Sequence, residues 1–561
     1  MSPFRHRSPF TFKVLTAVFI LFFFISSTWI WDSLPQFPIG LPVGLGGVRK
    51  IQFDGFKGGV SSADREKADH VRDAMKRTFW KYRERAWGED DVKPVTGGYR
   101  TSRNGWGAFI VDTSTTLPFM GLWEEFRLEV DHIVNKIDFT NASGLVDPFE
   151  TTIRYLGALV SLTDLIDNNF DQTAGVTKEL RDRVLGQAVV LATKLGPGFD
   201  SPTGMVWPRV NFTHNKPSGD PPDVLIDPVK AKWLHPAIGP ARAGSNILEN
   251  KALSKLTKNK IYAKNATKAW SPLVWNPNHE EWPGIVEGPI DIFTAKPVGF
   301  VRSWEGGHDS YYEYLIKAHI LNPHAQHSKT YRDRWVQAAE SLREHLATRS
   351  NATVKETGQG RLYIGKWDNG TYVNVMGHLS CFAPGNLILG GRYLKRDDIL
   401  RFGLELLDTC HHTYDATATR IGPETFHWHP VDRNVSQSPL GEYHQIQVDH
   451  FGYWATGPMY RLRPEYVESL FYAWRITGDR KYRKWAWDAF SAIESVCRAE
   501  YGYAGIRDVF VAPVNVTRAD YTESFWGAET LKYLYLTFAD TNVGTLDKWV
   551  YSTEGHPFRI F

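Results

Sequence analysis

The stretch LRPEYVESLFYAWRITGD, residues 462–479, carries the pattern that decides the fold. Apolar side chains recur through it at helical spacing, which predicts a helix over residues 464–477. A proline suits the first turn of a helix, and acidic side chains there are stabilised by the helix dipole. The predicted helix therefore carries Glu465 and Glu468 in its first turn, and Arg463 directly precedes it.

Comparable patterns recur along most of the chain, with Gly, Pro and Asn in the gaps between them. The segment 196–242 shows little periodicity, and it is predicted to be a long loop of the kind that is often functional. Successive helices separated by loops favour an all-α fold built from helix pairs. Further helices are predicted at 61–86, 150–167, 178–194, 309–321, 328–347, 481–497 and 522–538.

Length and composition exclude several classes of protein. The 561 residues fit two to four domains or one large barrel. A hydrophobic content of 42% with 23% charged residues is globular rather than disordered. The aromatic content of 14% is compatible with a carbohydrate site, although a large aromatic core is the simpler interpretation. A formal net charge of +3 argues against a nucleic-acid partner, because such proteins carry a strong basic excess.

One apolar run near the N-terminus, residues 14–31, contains no charged side chain and is close to the ~20 residues that span a bilayer. Basic residues in the preceding segment, 1–13, place that tail in the cytosol and the rest of the chain in the lumen. A cleaved signal peptide is the alternative, but the run ends in an aromatic edge rather than in small residues. The Pro- and Gly-rich residues 32–60 read as a stem, so that 61–561 would form the lumenal domain.

Exposure to the lumen has independent support in glycosylation motifs and cysteine usage. Seven Asn-x-Ser/Thr motifs lie on the same side of the apolar run, which fits a secreted or lumenal glycoprotein. In an oxidising lumen, three cysteines are most simply assigned to one disulfide and one free thiol, and their spacing does not indicate zinc. The acceptor asparagines are Asn141, Asn211, Asn265, Asn351, Asn369, Asn434 and Asn515.

Several segments place acidic residues at helix starts or along one helical face. Spacings of four residues bring Glu150 to Arg154 and Asp309 to Glu313. Helix capping and surface ion pairs explain such residues singly. Their apolar and aromatic neighbours, however, require each carboxylate to be hydrogen-bonded, paired, metal-bound or protonated. Glycoside hydrolysis uses one protonated and one ionised carboxyl, and the spacing does not say which is which.

Eleven segments carry these residues in a fixed order along the chain. They occupy 86–94, 105–122, 149–161, 194–211, 243–257, 309–317, 377–385, 422–426, 462–479, 523–536 and 552–558. In this order they resemble glycoside hydrolase family 47, the class I α-1,2-mannosidases that trim N-glycans. The resemblance covers nearly all of the predicted lumenal part, and it implies an (α/α)7 barrel, a ring of paired helices around a deep pocket.

The resemblance also implies an inverting, calcium-dependent hydrolase that removes terminal α-1,2-linked mannose from high-mannose N-glycans. Glu150 takes the place of the general acid, Asp309 that of the second catalytic carboxyl, and Glu465 that of the base that activates water. The choice of acid between Glu150 and Asp309 stays open. The residues that match the charged lining of the family's pocket are Arg154, Glu313, Arg463, Glu468, Glu523 and Glu554.

The metal ligand, the disulfide and the compartment follow from the same resemblance. Thr553 matches a threonine that binds Ca²⁺ through its hydroxyl and carbonyl oxygens, with waters and sugar hydroxyls completing the shell. Cys381 and Cys410 match the family's disulfide, which leaves Cys497 as a buried free thiol. A single-pass type II protein of the ER or Golgi membrane is expected, and the sequence does not decide between the two organelles.

Two departures from the family pattern concern substrate choice. Gly307 and His308 precede Asp309 where ER-type relatives carry an arginine two residues before the aspartate, so we expect a wider pocket and broader trimming than single-linkage ER-type specificity. The segment GSNILEN keeps Glu249 but lacks the usual aromatic residue. The alternative function is a glycan-binding quality-control protein of the ER-degradation-enhancing type, with weak or no hydrolysis.

Overall fold

The computed structural model describes residues 50–59, 61–170, 176–219, 236–275, 280–355, 358–433, 435 and 439–561. The predicted tail, the apolar run 14–31 and most of the predicted stem lie outside these residues. Within the described part of the chain, no helix is both long and apolar enough to cross a membrane. The folded unit extends over Lys50–Phe561 and so includes the end of the predicted stem. There Ile51 is buried, and the backbone N–H of Gln52 donates to Asp547 Oδ1 over 3.0 Å.

Helices of two kinds alternate along the described chain. Even-numbered helices are buried on nearly all sides, whereas odd-numbered helices bury one face and expose the other. The helices are α1 (Ser62–Ala86), α2 (Ala108–Thr113), α3 (Trp123–Asn135), α4 (Gly157–Leu165), α5 (Lys178–Leu195), α6 (Ile247–Thr257), α7 (Ile261–Val274), α8 (Asp309–Leu321), α9 (Ser328–Ser341), α10 (Phe382–Leu394), α11 (Asp397–Asp415), α12 (Glu465–Thr477), α13 (Arg480–Cys497) and α14 (Leu531–Phe538).

The seven even-numbered helices of the described chain form a closed inner ring. Each packs against the next in sequence, from α2 to α14, and the π-helical turn Trp526–Thr530 before α14 returns to α2. The outer helix α1 packs on α14, so the first and last numbered helices of the described residues are in contact. This arrangement confirms the predicted (α/α)7 barrel, although the periodicity of the sequence did not fix the number of pairs.

Further helical segments, which lie outside the alternation of inner and outer helices, complete this framework within the described residues. Two of them extend α4 at both ends as π-helical turns, and another π-helical turn extends α9. They are Leu117–Met120, Pro148–Glu150, Thr151–Leu156, Ile166–Phe170, Gly196–Phe199, Pro240–Gly244, Leu342–Leu346, His378–Cys381, Glu442–Phe451 and Pro513–Asn515.

Helix α12 is an inner helix that carries charged side chains into the core. Every residue from Glu465 to Ile476 is buried, including two glutamates and Arg475. Arg475 lies among backbone carbonyls, and its guanidinium donates to Leu536 O over 2.7 Å and to Thr541 O over 2.6 Å. Because a buried charge is tolerated only with partners, the glutamates of α12 must be paired or belong to a site.

Short antiparallel strands connect the helices. They are β1 (Asp91–Val92), β2 (Tyr99–Arg100), β3 (Arg209–Asn211), β4 (Lys216–Ser218), β5 (Ala237–Ile238), β6 (Gly288–Asp291), β7 (Pro297–Arg302), β8 (Ala347–Thr353), β9 (Gly360–Ile364), β10 (Lys366–Asp368), β11 (Thr371–Val373), β12 (Val375–Gly377), β13 (Thr425–His427), β14 (Trp454–Gly457), β15 (Arg498–Ala499), β16 (Gly502–Tyr503), β17 (Trp549–Tyr551) and β18 (Pro557–Arg559). The largest sheet has the strand order β11-β10-β7-β6-β5. A three-stranded sheet has the order β12-β13-β14, and the other strands of the described chain form two-stranded antiparallel pairs.

The sequence interpretation needs two corrections. The predicted loop 196–242 contains the hairpin β3–β4, whose strands are too short to show an alternating pattern, and its residues 220–235 lie outside the described chain. The predicted helix 522–538 begins only at Phe525, because residues 522–524 are not helical. This later start leaves Glu523 on a non-helical segment.

The C-terminal hairpin β17–β18 enters the ring of inner helices. Strand β17 packs against α8, and β18 packs against α4. The turn between the strands is largely buried, and His556 is completely so. The hairpin therefore forms a floor for the space that the inner helices enclose.

The predicted disulfide is present between Cys381 and Cys410, with a sequence separation of 29. It ties the start of the inner helix α10 to the outer helix α11. Cys497 is a buried free cysteine, as predicted.

Removing the disulfide should destabilise the barrel without altering its topology. Closure of a loop of this length is worth ~3–4 kcal/mol through the unfolded state. We expect C381A/C410A to unfold at a lower guanidinium concentration than the wild type. Reductant should lower the wild-type midpoint and leave the double variant unchanged, and equal midpoints for the two proteins would contradict this role.

Candidate active site

One cavity of about 320 Å³ collects every catalytic, pocket and metal-binding residue predicted from the sequence. Glu150, Asp309 and Glu465 line it, and so does Thr553. The other predicted members of its wall are Arg154, Glu313, Arg463, Glu468, Glu523 and Glu554. Further lining residues are Arg103, Phe149, Ile153, Ser310, Leu379, Phe382, Arg461, Pro464, Phe525 and Glu529.

The three catalytic candidates share one structural position, the start of an inner-helix segment. Glu150 lies in a first turn that Asp147 caps by accepting from Phe149 N over 2.9 Å. Asp309 is the first residue of α8, and Glu465 is the first residue of α12. Because three inner segments begin at the same cavity, their N-terminal carboxylates converge there.

Glu465 is held in the ionised form by a histidine and an arginine. Its Oε2 lies 2.7 Å from His378 Nδ1, and its Oε1 lies 3.6 Å from Arg463 Nη1. Burial alone would favour the neutral acid, but these two partners lower the pKa of Glu465 below its ordinary value. His378 is held from its other side, where Nε2 lies 2.7 Å from the hydroxyl of Tyr414. The carboxylate is thus oriented and able to accept a proton.

Asp309 has the opposite electrostatic environment. Burial is the main cause that raises its pKa to about 7, and the nearby charge of Glu313 acts in the same direction. The backbone N–H of Ser310 donates to Asp309 Oδ1 over 2.8 Å, which offsets part of the effect. Asp309 therefore carries a proton over much of the pH range in which Glu465 is ionised.

Glu150 is an ion-pair partner rather than a neutral acid. Its Oε2 lies 2.9 Å from Arg154 Nε and 2.9 Å from Arg103 Nη1. Burial opposes ionisation, but the two arginines lower the pKa of Glu150 below its ordinary value. Of the two carboxyls left open by the sequence, the electrostatics favour Asp309 as the proton donor.

The deeper part of the cavity holds an excess of carboxylates. Lys317 pairs with Glu313 and lies 3.8 Å from Glu468 Oε1. Burial raises the pKa of Glu468 and of Glu529 well above the ordinary value, and neighbouring carboxylates add to that effect. Such a region attracts cations and hydroxyl-rich ligands.

Thr553 lies at the floor of this acidic region, in the turn between β17 and β18. Its backbone N–H donates to the hydroxyl of Tyr314 over 3.2 Å. In the part of the chain that the structure describes, its hydroxyl and carbonyl oxygens make no hydrogen bond to protein. These two oxygens of Thr553 can bind a ligand, and carboxylates lie nearby. Oxygen donors of this kind suit a hard cation such as Ca²⁺.

A complete protein cage for a metal ion is absent from the described residues, where no three or more His, Cys, Asp or Glu side chains are grouped to ligate one. Any ion at Thr553 would take most of its ligands from water or substrate. The residues present fit such an open site.

Aromatic and cationic side chains that the sequence did not assign complete the wall. Phe525 faces two guanidinium groups, those of Arg154 at 5.8 Å and Arg463 at 5.9 Å. Arg103 bridges Glu150 and Glu523, with 3.3 Å between its Nη2 and Glu523 Oε2. Arg103 lies in a non-helical segment without periodicity, so no sequence pattern marked it.

Gly307 and His308, which differ from the family pattern, lie beside the cavity and do not line it. Gly307 has a φ of +93°, and a Cβ built there meets no atom within 4 Å. His308 Nε2 lies 3.1 Å from Val301 O. The space next to the Gly307 Cα is therefore open, and the wider pocket expected from the sequence stays a prediction.

Comparisons with known proteins agree with this architecture. The model of glycosyl hydrolase family 47 matches residues 74–560. The mannosyl-oligosaccharide alpha-1,2-mannosidase 1B of Aspergillus phoenicis is 37% identical over 508 residues, which are 89% of this chain and 93% of that protein. The mannosyl-oligosaccharide alpha-1,2-mannosidase of Penicillium citrinum is 35% identical over 505 residues, 89% of this chain and 93% of that protein.

Among solved structures, the alpha-1,2-mannosidase from Trichoderma reesei matches with a TM-score of 0.81 and 35% sequence identity, covering 89% of this chain and 99% of that one. The sequence match thus covers nearly the full length of each relative, and the fold match covers nearly all of the Trichoderma reesei protein. The chain belongs to glycosyl hydrolase family 47 and is a glycoside hydrolase.

Proposed function

We propose that the protein is an inverting, calcium-dependent α-1,2-mannosidase that trims terminal mannose from high-mannose N-glycans. The observation that carries the proposal is that Asp309 and Glu465 line one cavity in surroundings that raise the pKa of the first and lower the pKa of the second. Environments that push the pKa values of two carboxyls apart define an acid and a base. The names of the relatives support the choice of substrate.

In this mechanism Asp309 donates its proton to the glycosidic oxygen as the bond to the leaving sugar breaks. Glu465 accepts a proton from a water molecule that attacks the anomeric carbon from the opposite face. His378 keeps Glu465 oriented and ionised before that water binds. A single displacement of this kind inverts the anomeric configuration, so the first product is β-mannose.

Glu150 supports the reaction without transferring the proton. As a carboxylate held by Arg154 and Arg103, it lies at the cavity wall where positive charge develops on the sugar ring. A fixed negative charge beside an oxocarbenium-like transition state lowers the barrier. The aromatic face of Phe525 gives the sugar an apolar surface to rest on.

Calcium is proposed at Thr553, whose hydroxyl and carbonyl oxygens would hold it. Ca²⁺ binds about six to eight oxygen atoms, so most of its ligands would be waters and sugar hydroxyls. When bound, the ion would orient the terminal mannose and polarise its hydroxyl groups. The carboxylates deeper in the cavity would balance the charge of the ion.

The protein is further proposed to be a single-pass type II protein of the ER or Golgi membrane, with its barrel in the lumen. The disulfide supports an oxidising compartment. Of the glycosylation motifs, Asn434 lies outside the described residues. The others are exposed or partly exposed, as oligosaccharide attachment requires, at Asn141, Asn211, Asn265, Asn351, Asn369 and Asn515.

Mannose release from a nine-mannose glycan tests the proposed activity directly. Purified protein in calcium should release mannose, and EDTA should abolish release until calcium is restored. Proton NMR during the first turnovers should show β-mannose. Binding without release in calcium would favour the glycan-binding alternative, and undiminished release in EDTA would remove the role of the metal.

The same digest measures the breadth of trimming. Because the space before Gly307 is open, we expect removal of mannose from more than one branch. Chromatography of the remaining glycans counts the residues removed. Removal of only the middle-branch residue would contradict the expected breadth.

Asp309 and Glu465 should respond differently to the leaving group. D309N should lose ~10²–10⁴-fold in kcat/KM on the glycan, because no proton reaches the leaving oxygen. It should be impaired far less on α-mannosyl fluoride, whose leaving group needs no protonation. E465Q should lose activity on both substrates, since neither reaction proceeds without a base for water.

E150Q is the matched comparison for the choice of acid. It should lose activity on both substrates, because Glu150 stabilises charge on the ring that both reactions share. If E150Q hydrolyses the fluoride much better than the glycan while D309N is inactive on both substrates, the general acid is Glu150 instead. Circular dichroism of all three variants controls for folding.

A further inference from the structure

The turn that carries Thr553 is tied to a different inner segment at each of four successive residues. Thr553 contacts α8 through Tyr314, and Glu554 pairs with Arg154 in the π-helical turn before α4. Gly555 and His556 make the other two connections, to α14 and to the region of α2. The turn is therefore fixed from four sides of the barrel.

The last two connections share one hydroxyl group. Lys532 Nζ donates to the carbonyl oxygen of Gly555 over 2.7 Å and to Thr115 Oγ1 over 3.0 Å. Thr115 Oγ1 also lies 3.0 Å from His556 Nδ1, while His556 Nε2 lies 3.1 Å from Asp112 Oδ1. Since Thr115 Oγ1 accepts from the ammonium group, its own hydrogen is available for His556 Nδ1.

These groups are buried and do not line the cavity. Thr115, Lys532 and His556 have no exposed surface, so none of them can contact a glycan or an ion in the cavity. A buried lysine is costly unless it is well bonded. Here the ammonium group of Lys532 donates to the carbonyl oxygen of Gly555 and to the hydroxyl of Thr115.

We propose that Thr115, Lys532 and His556 form a clamp that positions the oxygens of Thr553 and thereby sets the affinity for calcium. The inference rests on the proposed calcium site at Thr553. Gly555 and His556 follow Thr553 by two and three residues, so a shift at either one moves the threonine. Metal sites tolerate misplacement of only about 0.5 Å, and loss of an outer-shell partner typically costs about 10- to 100-fold in metal affinity.

T115V is the sharpest test because valine keeps the volume of threonine and removes only the shared hydroxyl. T537V is the matched control. Thr537 is a buried threonine on α14, and its hydroxyl donates to Tyr533 O over 2.8 Å within the same helix. K532M removes the cation of the clamp, and T553A removes the side-chain ligand itself.

The measurement is calcium binding by isothermal titration of the full-length protein after removal of metal with a chelator, with no glycan present. We expect T115V and K532M to bind calcium about 10- to 100-fold more weakly than the wild type, T553A more weakly still, and T537V as the wild type does. A thermal scan in chelator measures the loss of stability of each variant separately.

The outcomes separate the clamp from the calcium proposal. If the wild type binds calcium tightly, T553A binds it weakly and T115V binds it as the wild type does, the clamp is overturned and the calcium site stands. Equal weakening in T115V and T537V also overturns the clamp, because any buried threonine would then suffice. Absence of binding in the wild type overturns the calcium site and the clamp with it. If K532M does not fold, T115V alone decides.

Discussion

The cavity depends on the ion pairs that the guanidinium group of Arg154 makes. This group is buried in the ring of inner helices, and it joins Glu150 at the wall to Glu554 in the turn at the floor. Asp112 on α2 completes its surroundings, with 3.4 Å between Nη1 and Asp112 Oδ2. Removing one partner of a buried network leaves the others as uncompensated charges. The same cation therefore holds the C-terminal hairpin in the barrel and fixes the ionisation of Glu150.

The chemistry follows from how unevenly positive charge is distributed around the cavity. Glu465 and Glu150 have cationic or histidine partners that lower their pKa values. Asp309 instead accepts from the neutral groups of Ser310 and has two glutamates nearby, Glu313 and Glu465. The inner helices around the cavity lower the local dielectric, so these differences are screened less than they would be in bulk water. One fold thus holds carboxyls of opposite protonation within a single cavity of about 320 Å³.

The inner ring could be predicted from sequence where its helices are long and carry charge at their starts. Helix α12 is the clearest case, and α8 begins and ends as expected at Asp309 and Leu321. The order of the motifs also identified the charged residues of the cavity from the sequence alone. Periodicity alone could not show how the seven inner helices of the described chain close into a ring, because closure is made by contacts distant in sequence.

Other parts of the site had no sequence signal that could reveal them. Arg103 lies in an irregular segment, and the strands are mostly two to seven residues long. The partnership of Thr115 with Lys532 spans 417 positions, and neither residue is unusual for its own helix or turn. The protonation of Asp309 depends on burial and on Glu313, and both require the packed barrel. The sequence indicated which residues meet, whereas the raised pKa of Asp309 and the lowered pKa of Glu465 depend on the packed barrel.

The pH dependence of kcat/KM on a high-mannose glycan, measured at saturating calcium, tests this division of protons most directly. The proposed mechanism requires a protonated Asp309, so activity should fall as the pH rises through about 7. It also needs Glu465 ionised, and because the pKa of Glu465 is lowered, the acid limb should lie below the ordinary glutamate value of 4.5. A bell-shaped profile with these two limbs is the predicted result. Full activity that persists to about pH 9 would contradict a proton donor with the pKa of Asp309.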